Sequence, residues 1–193
     1  AFDDKLGYLT QCPTNLGTGM RASVMLHLPA LEKSRTIGRI AGNLSKLGLT
    51  IRGAYGEGSE PSGSLYQLSN QVTLGISEKA AIENLENITK QLVSQEQQAR
   101  ERLAKSIDIQ DSVSRSLGLL KSAMVMTHDE ALKLLSNVRF GILSGQIKDV
   151  TAEVVDSLME KIEPATLMVN AGKNLSAQER DIERAKILRE ALS

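Results

Sequence analysis

The first third of the chain alternates between apolar and polar positions, which predicts short β-strands. Over residues 21–28 every second side chain is apolar, and the positions between them carry Arg21, Ser23, Met25 and His27. Because successive side chains of a strand point to opposite faces, one face packs and the other is available for chemistry. Residues 49–52 repeat the alternation and place Arg52 opposite an apolar pair. A helix over about residues 30–46, ended by Gly48, is predicted between the two strands.

From residue 77 onward the pattern changes to helical spacing. Apolar side chains recur every three or four positions at Ile82, Leu85, Ile88, Leu92 and Val93. Two later segments begin with capping-box residues, Thr127 with Glu130 and Ser176 with Glu179. The second half of the chain is therefore predicted to be all-helical.

Together these patterns predict an α+β fold class. Residues 1–105 contain part of an antiparallel β-sheet flanked by helices, and residues 106–193 form a helical C-terminal region. A glycine-rich loop over residues 53–64 interrupts the first portion and is expected to close over a ligand.

Composition narrows the class of protein. The 193 residues include 23 basic and 23 acidic side chains, so no overall charge favours nucleic acid or an anionic membrane. No apolar stretch approaches the roughly 20 residues that span a bilayer. The single cysteine, Cys12, suits a reducing compartment, and we expect a cytoplasmic protein. Because the chain opens on Ala1 and continues almost at once into a strand-like segment, we expect that another segment precedes it.

The first chemical motif is the turn CPTNLGTG at residues 12–19, which leads into the strand that starts at Arg21. A lone cysteine is more often an inert core residue than a reactive one. This segment, however, resembles the signature of phosphagen kinases, the guanidino kinases that phosphorylate creatine or arginine. The resemblance implies that Cys12 lies beside the substrate guanidinium as a thiolate and that Arg21 contacts the phosphates of ATP.

A second motif begins at Arg52 and reads RGAYGEGSE, followed by LYQLSN at residues 65–70. It is similar to the flexible loop of the same family and the strand behind it. The resemblance implies that Arg52 is a second phosphate clamp and that Glu57 holds the guanidinium and accepts its proton. Taken alone, either residue would be read as a solvated surface charge. ATP, with Mg²⁺ bound through the nucleotide, is the implied cofactor.

Three positions depart from the phosphagen kinase pattern. Met25 stands where these enzymes usually have a histidine, and His27 follows two positions later on the same face. His27 is read either as a nucleotide contact or as a structural histidine. Gln67 occupies a position where an aspartate often meets the ribose. We assign Met25, His27 and Gln67 to the ATP-binding set by resemblance.

The subfamily is indicated by four further segments, LHLPAL at residues 26–31, YGEGSE at 55–60, SNQVTLG at 69–75 and RDIERA at 180–185. They resemble the bacterial protein-arginine kinases. In that subfamily an Arg-Asp-x-x-Arg-Ala motif binds phosphoarginine at an allosteric site, and the matching residues here are Arg180, Asp181 and Arg184. Four-residue spacing places the two arginines on one helix face. The alternative is an exposed helix with ordinary salt bridges.

The resemblance implies a protein-arginine kinase that marks proteins for Clp proteolysis and tunes stress-response repressors. Residues 1–105 would be the C-terminal part of its ATP-binding catalytic domain, and an N-terminal kinase segment would supply other arginines and a second carboxylate. Implied partners are proteins with exposed arginines, a zinc-binding activator, the Clp ATPase and a second copy of the chain. The alternatives are a nucleotide- or phosphoarginine-binding module without activity and a structural interaction platform.

Overall fold

The computed structural model describes residues 2–54 and 61–193. The chain divides into two compact units. The first comprises Ala1–Pro61 and Leu65–Gln97, and the second comprises Ser62–Ser64 and Gln98–Ser193. The predicted α+β class is confirmed, since a small antiparallel sheet with helices is followed by helices only.

In the part of the first unit that the structure describes there are two small sheets and three α-helices. A two-stranded hairpin and a three-stranded antiparallel sheet account for the strands, which are β1 (Phe2–Asp3), β2 (Gly7–Tyr8), β3 (Ser23–His27), β4 (Leu49–Gly53) and β5 (Leu65–Asn70). The helices that begin in this unit are α1 (Pro29–Lys33), α2 (Ile37–Lys46) and α3 (Glu78–Leu103). In the larger sheet β5 lies between β3 and β4.

The predicted alternation in β3 is confirmed by burial. Leu26 is buried and Val24 is half-buried, whereas Ser23 and Met25 on the opposite face are exposed. The inner face of the sheet packs further apolar side chains from its neighbours, including Leu49 and the fully buried Leu68. The apolar set therefore fixes which face of the sheet meets the core.

The single helix predicted over residues 30–46 is wrong, because the chain breaks into α1 and α2. Arg35 adopts a positive φ of 55°, outside the helical range. The hydroxyls of Ser34 and Thr36 donate to backbone carbonyls of α1 at 2.7 and 3.0 Å. These side chains offer the backbone an alternative to a continuing helix. Gly48 ends α2 with a φ of +71°, in agreement with the prediction.

The long helix α3 packs one stripe of side chains, but not all of the predicted ones. Leu85 and Leu92 are buried as expected, whereas Ile82 and Val93 are 43% and 39% exposed. Each exposed residue directly follows a buried one, and one step along a helix rotates the side chain by roughly 100°. The stripe instead continues to the buried carboxylate of Glu96.

Glu96 caps helix α1 from a different helix. Its two carboxylate oxygens accept the backbone N–H groups of Ala30 and Leu31 at 2.8 and 2.9 Å. Leu28, the residue before α1, has an apolar side chain and makes no capping hydrogen bond. A negative charge at a helix N-terminus is favourable, so Glu96 fastens α3 to the helix that follows β3 directly.

The second unit is built from five helices that pack around a buried apolar cluster. They are α4 (Ile107–Ser122), α5 (His128–Leu143), α6 (Ala152–Lys161), α7 (Pro164–Ala171) and α8 (Ala177–Leu192). Helix α5 is the most deeply buried, and its side chains Leu132, Leu135 and Val138 are fully covered. The cluster also includes Leu158 of α6 and Leu188 of α8.

Both predicted helix starts in this unit carry a side-chain cap. The Thr127 hydroxyl accepts the backbone N–H of Glu130 at 3.3 Å. At α8 the capping box is complete, because Ser176 accepts from the Glu179 N–H and Glu179 accepts from the Ser176 N–H at 2.8 Å. Within the described residues, no helix combines the length and apolar character that crossing a bilayer requires.

Candidate functional site

The three-stranded sheet brings the nucleotide-binding candidates onto one face. In the strand register Met25 pairs with Gln67, and Gln67 pairs with Arg52. Directly opposed residues of antiparallel strands share a face, so these three side chains form a row across β3, β5 and β4. His27 lies on the same face of β3, two residues beyond Met25.

A second row lies beside the first and holds Arg21. Ser23, Ser69 and Thr50 are paired across the three strands in the same way. The Nη2 atom of Arg21 donates to Ser69 Oγ at 3.1 Å. The guanidinium that precedes β3 is thereby drawn toward the face that also holds Arg52.

The chain before β3 is fixed by an asparagine at the end of β5. The side chain of Asn70 accepts the backbone N–H of Ala22 at 2.8 Å and donates to the Met20 carbonyl at 2.9 Å. Asn70 is only 6% exposed, so its polar groups depend on these bonds. The position of Arg21 therefore follows from contacts on both sides of it.

The face combines cationic, polar and apolar groups. Met25 is 51% exposed, and Gln67 Nε2 donates to Ser23 Oγ at 3.2 Å. Two guanidinium groups suit phosphate oxygens, and an exposed thioether suits the flat surface of a base. The nucleotide-binding role of Arg21, Met25 and Arg52 stays a prediction, as do those of His27 and Gln67.

Cys12 lies in an exposed turn just before a short 3₁₀ helix, Pro13–Asn15. Its Sγ atom is 2.9 Å from Thr14 Oγ1. Hydrogen bonds from the side chain and the backbone of Thr14 hold the pKa of the Cys12 thiol below its ordinary value. The local geometry therefore makes the thiolate easier to form than at an unbonded cysteine. The predicted contact of Cys12 with a guanidinium stays a prediction.

Glu57, the other predicted catalytic residue, lies outside the described residues. Its place in the sequence follows β4, which ends at Gly53 and carries Arg52. The assignment of Glu57 as the carboxylate that holds the guanidinium stays a prediction.

The predicted phosphoarginine motif lies in the first two turns of α8. Arg184 is 1% exposed, and its guanidinium donates to three oxygens, Met126 O at 2.9 Å, Ile162 O at 3.1 Å and Asp181 Oδ1 at 2.6 Å. Arg180 is half-buried and donates through Nη1 to the Leu175 carbonyl at 3.0 Å.

The two arginines of this motif thus differ in their surroundings. The alternative of an ordinary exposed helix is wrong for Arg184, which hydrogen-bonds the carbonyls of Met126, two residues before α5, and Ile162, directly after α6. Spacing along the sequence placed both arginines on one face, but it carried no information on what covers that face. Binding of phosphoarginine by Arg180, Asp181 and Arg184 stays a prediction.

Sequence reasoning missed the side chains that support these sites. Thr14 and Ser69 hydrogen-bond the side chains of Cys12 and Arg21. Asn70 and Thr73 instead hydrogen-bond backbone groups close to them in the chain. One signal was present, since Thr14 stands two residues after Cys12 and a hydroxyl at that distance commonly bonds the local backbone or its neighbour. The contacts of Ser69 and Asn70 depend on strand pairing, and those of Thr73 depend on the approach of two segments far apart in the sequence.

Comparison with protein-family models matches both halves of the chain. Residues 1–99 match the model described as ATP:guanido phosphotransferase, C-terminal catalytic domain. Residues 106–193 match the model described as protein-arginine kinase McsB C-terminal domain. The resemblance drawn from the sequence motifs is confirmed.

Curated relatives named protein-arginine kinase are similar over the whole of this chain. The relative from Halothermothrix orenii is 52% identical over 195 residues, and the match covers 100% of this chain and 56% of the relative. Those from Clostridium acetobutylicum and Geobacillus sp. strain WCH70 are 48% and 50% identical, with 57% and 54% of each relative covered. The chain therefore spans somewhat more than half the length of these relatives.

Proposed function

The chain belongs to the ATP:guanido phosphotransferase family, and from this membership we propose that it forms the nucleotide-binding part of a protein-arginine kinase. This enzyme transfers the γ-phosphoryl group of ATP to arginine side chains of proteins. The choice of substrate is supported by the match of residues 106–193 to the protein-arginine kinase C-terminal domain and by the names of the relatives.

The observation that carries the proposal is the row of Met25, Gln67 and Arg52 with Arg21 beside it. In the proposed reaction a guanidino nitrogen attacks the γ-phosphorus, the bond from phosphorus to the β,γ-bridging oxygen breaks, and ADP leaves. Such a transfer depends on fixed positive charge around the phosphates and on alignment of the nucleophile. Arg21 and Arg52 supply that charge, and Mg²⁺ enters bound to the phosphates of ATP.

The remaining assignments complete this reaction. Met25, His27 and Gln67 contact the nucleoside part of ATP, beside the arginines. The Cys12 thiolate, favoured by Thr14, lies next to the positive guanidinium of the substrate. Glu57 orients the guanidinium and accepts the proton that the attacking nitrogen loses.

The proposal is tested in a full-length protein, one that contains this chain and is as long as the curated relatives. Incubation with ATP and a protein substrate should yield phosphoarginine, detected by mass spectrometry under non-acidic conditions. Arg52→Ala should lower kcat/KM about a hundredfold, because it removes one preorganised cation. Arg39→Ala, which removes an exposed arginine of α2, serves as the matched control and should retain activity.

A second variant separates the roles of the two substrates. Glu57→Gln should lower kcat about a hundredfold or more while leaving the affinity for ATP nearly unchanged, since the carboxylate acts on the guanidinium. If full-length protein forms no phosphoarginine, the proposed activity fails. If it does but Arg52→Ala matches Arg39→Ala, the assignment of the nucleotide face fails.

A second candidate function is phosphoarginine binding without turnover by the isolated chain. It is supported by the RDIERA motif at residues 180–185 and by the complete capping box at the start of α8. A phosphate needs positive charge and the guanidino end of the ligand needs a carboxylate, which Arg180 and Asp181 supply. Titration calorimetry should show binding of free phosphoarginine and far weaker binding of arginine. Arg180→Ala should abolish the former, and equal binding of the two ligands would refute this candidate.

The resemblance also leads to proposals about the cellular setting. The enzyme works in the cytoplasm with a zinc-binding activator protein, forms a homodimer, and marks its substrates for a Clp ATPase. Affinity purification from cells that express an epitope-tagged full-length protein tests the partners, with a Glu57→Gln strain as the comparison for substrate modification. Absence of the Clp ATPase from the material purified with the wild-type protein would contradict the proposed link to proteolysis.

A further inference from the structure

Thr73, three residues after the end of β5, contacts the turn that carries Cys12. Its side-chain oxygen lies 2.7 Å from the Thr14 carbonyl and 2.6 Å from the Leu16 carbonyl. A hydroxyl has one proton, so it donates to one of these carbonyls at a time. The Thr73 carbonyl in turn accepts the backbone N–H of Thr18 at 3.1 Å. Thr73 is only 7% exposed, so these contacts are shielded from water.

The two backbones approach each other closely at this point. Gly17 has a φ of +90°, and a Cβ added there would lie 2.2 Å from the Thr73 carbonyl oxygen. Only glycine fits such an approach without displacing backbone. The turn therefore packs against the backbone of Thr73 and also forms hydrogen bonds with its side chain.

The contacts of Thr73 join the two parts of the proposed active site. On one side Thr14, whose carbonyl Thr73 contacts, places its hydroxyl 2.9 Å from Cys12 Sγ. On the other side Thr73 follows the end of β5 by three residues, and the Ser69 hydroxyl of β5 accepts a hydrogen bond from the Arg21 guanidinium.

We propose that Thr73 is a positioning residue that holds the Cys12 turn in register with the sheet face bearing Arg21 and Arg52. This inference rests on the proposed function for its catalytic meaning. Loss of the hydroxyl leaves the carbonyls of Thr14 and Leu16 without this donor, and the turn is free to change the orientation of Thr14. The thiol then loses the hydrogen bond that favours its ionised form.

The chain itself allows a direct test, because Cys12 is its only cysteine. The rate of alkylation by iodoacetamide, measured against pH, reports the ionisation of this one thiol. Thr73→Val removes the hydroxyl and keeps the side-chain shape, whereas Thr73→Ser restores the hydroxyl. Thr89→Val is the matched control, since it removes a hydroxyl that donates to the Leu85 carbonyl at 2.8 Å within α3.

Thr73→Val should move the alkylation midpoint to higher pH, so that alkylation at a fixed pH below the midpoint becomes slower. Thr73→Ser and Thr89→Val should keep the wild-type profile. A Thr73→Val profile that coincides with wild type, or a Thr73→Ser profile that shifts as far as Thr73→Val, overturns the proposal. Thr73→Ala provides a second hydroxyl-free variant if Thr73→Val does not fold.

A measurement in full-length protein separates this inference from the proposed function. There Thr73→Val should lower kcat about tenfold while KM for ATP changes less than about twofold, because the nucleotide face keeps its own contacts. Unchanged kcat in a protein that forms phosphoarginine overturns the positioning role. A shifted alkylation profile in a protein that forms no phosphoarginine leaves the positioning of the turn intact and refutes the kinase assignment.

Discussion

Replacement of the buried Arg184 is expected to destabilise the helical unit far more than replacement of the nearby Arg180. Arg184→Met keeps much of the side-chain volume but removes the charge and every donor. In the structure those donors bind the Met126 and Ile162 carbonyls and the Asp181 carboxylate. Arg184 therefore joins three separate segments of the helical unit.

The magnitude follows from the number and kind of bonds lost. Hydrogen bonds that involve a charged group contribute about 1.5–3 kcal/mol each, and breaking a buried ion pair by removing one partner costs about 3–5 kcal/mol. The side chain of Asp181 is 25% exposed, so water can solvate its carboxylate once Arg184 is removed, and this lowers the cost of the substitution. We expect a net loss of about 3–5 kcal/mol in the free energy of unfolding. Arg180→Met, which removes one bond from a half-buried side chain, should cost about 1 kcal/mol.

The assay must report on the helical unit alone. All three tyrosines precede residue 67, so tyrosine fluorescence does not monitor residues 98–193. Hydrogen exchange measured by mass spectrometry over peptides of α5 and α8 in increasing urea gives the free energy of opening of this unit. The argument is refuted if the free energy of opening of the Arg184→Met peptides lies within about 1 kcal/mol of the wild-type value. It is also refuted if Arg184→Met and Arg180→Met lower that free energy equally.

Three further changes follow from the same contacts. Glu96→Ala should lower the free energy of unfolding of the first unit by about 2–4 kcal/mol, measured by tyrosine fluorescence in urea, whereas Glu96→Gln keeps one acceptor and should lose less. Gly17→Ala should displace the turn from Thr73 and shift the alkylation profile as Thr73→Val does; an unchanged profile would contradict the close approach. Backbone and side-chain hydrogen bonds from Ser176 lower the pKa of Glu179. This carboxylate therefore stabilises α8 above the ordinary glutamate pKa and loses that effect as pH falls through its lowered pKa. Glu179→Gln should make the midpoint temperature of thermal unfolding less dependent on pH in the acid range. An acid-range dependence equal to that of wild type would contradict this expectation.

The sheet face proposed to bind the nucleotide was predictable, because strand periodicity depends on the sequence alone. Alternation over residues 21–28 placed Arg21, Met25 and His27 on one side. The strand register agrees for Met25 and His27, and Arg21, which precedes β3, reaches the same face through its hydrogen bond to Ser69. The partner across the sheet could not be read in the same way. Nothing in the order of residues states that Gln67 opposes both Met25 and Arg52, since this follows from β5 lying between β3 and β4.

The pattern of burial on α3 was only partly predicted, and the reason differs from the one that applies to strand pairing. Helical periodicity gives the spacing of apolar side chains but not the direction from which the core covers them. On α3 the covered stripe passes through Glu96, a carboxylate that apolar patterning excludes from a core. It is stable there because the first N–H groups of α1 bind both of its oxygens, a partner that lies more than sixty residues earlier in the chain.

The same limit applies to α8 and changes how its motif is understood. From the sequence Arg180 and Arg184 are equivalent cations four residues apart, and both could bind a phosphate. In the structure Arg184 is already committed to Met126, Ile162 and Asp181, whereas Arg180 donates to a single carbonyl from a half-buried position. A phosphate that binds Arg180 meets one guanidinium with donors in reach of solvent. A phosphate that binds Arg184 must replace its hydrogen bonds to the carbonyls of Met126, two residues before α5, and Ile162, directly after α6. Engagement of both arginines therefore couples ligand binding to the packing of the helical unit, and engagement of Arg180 alone does not.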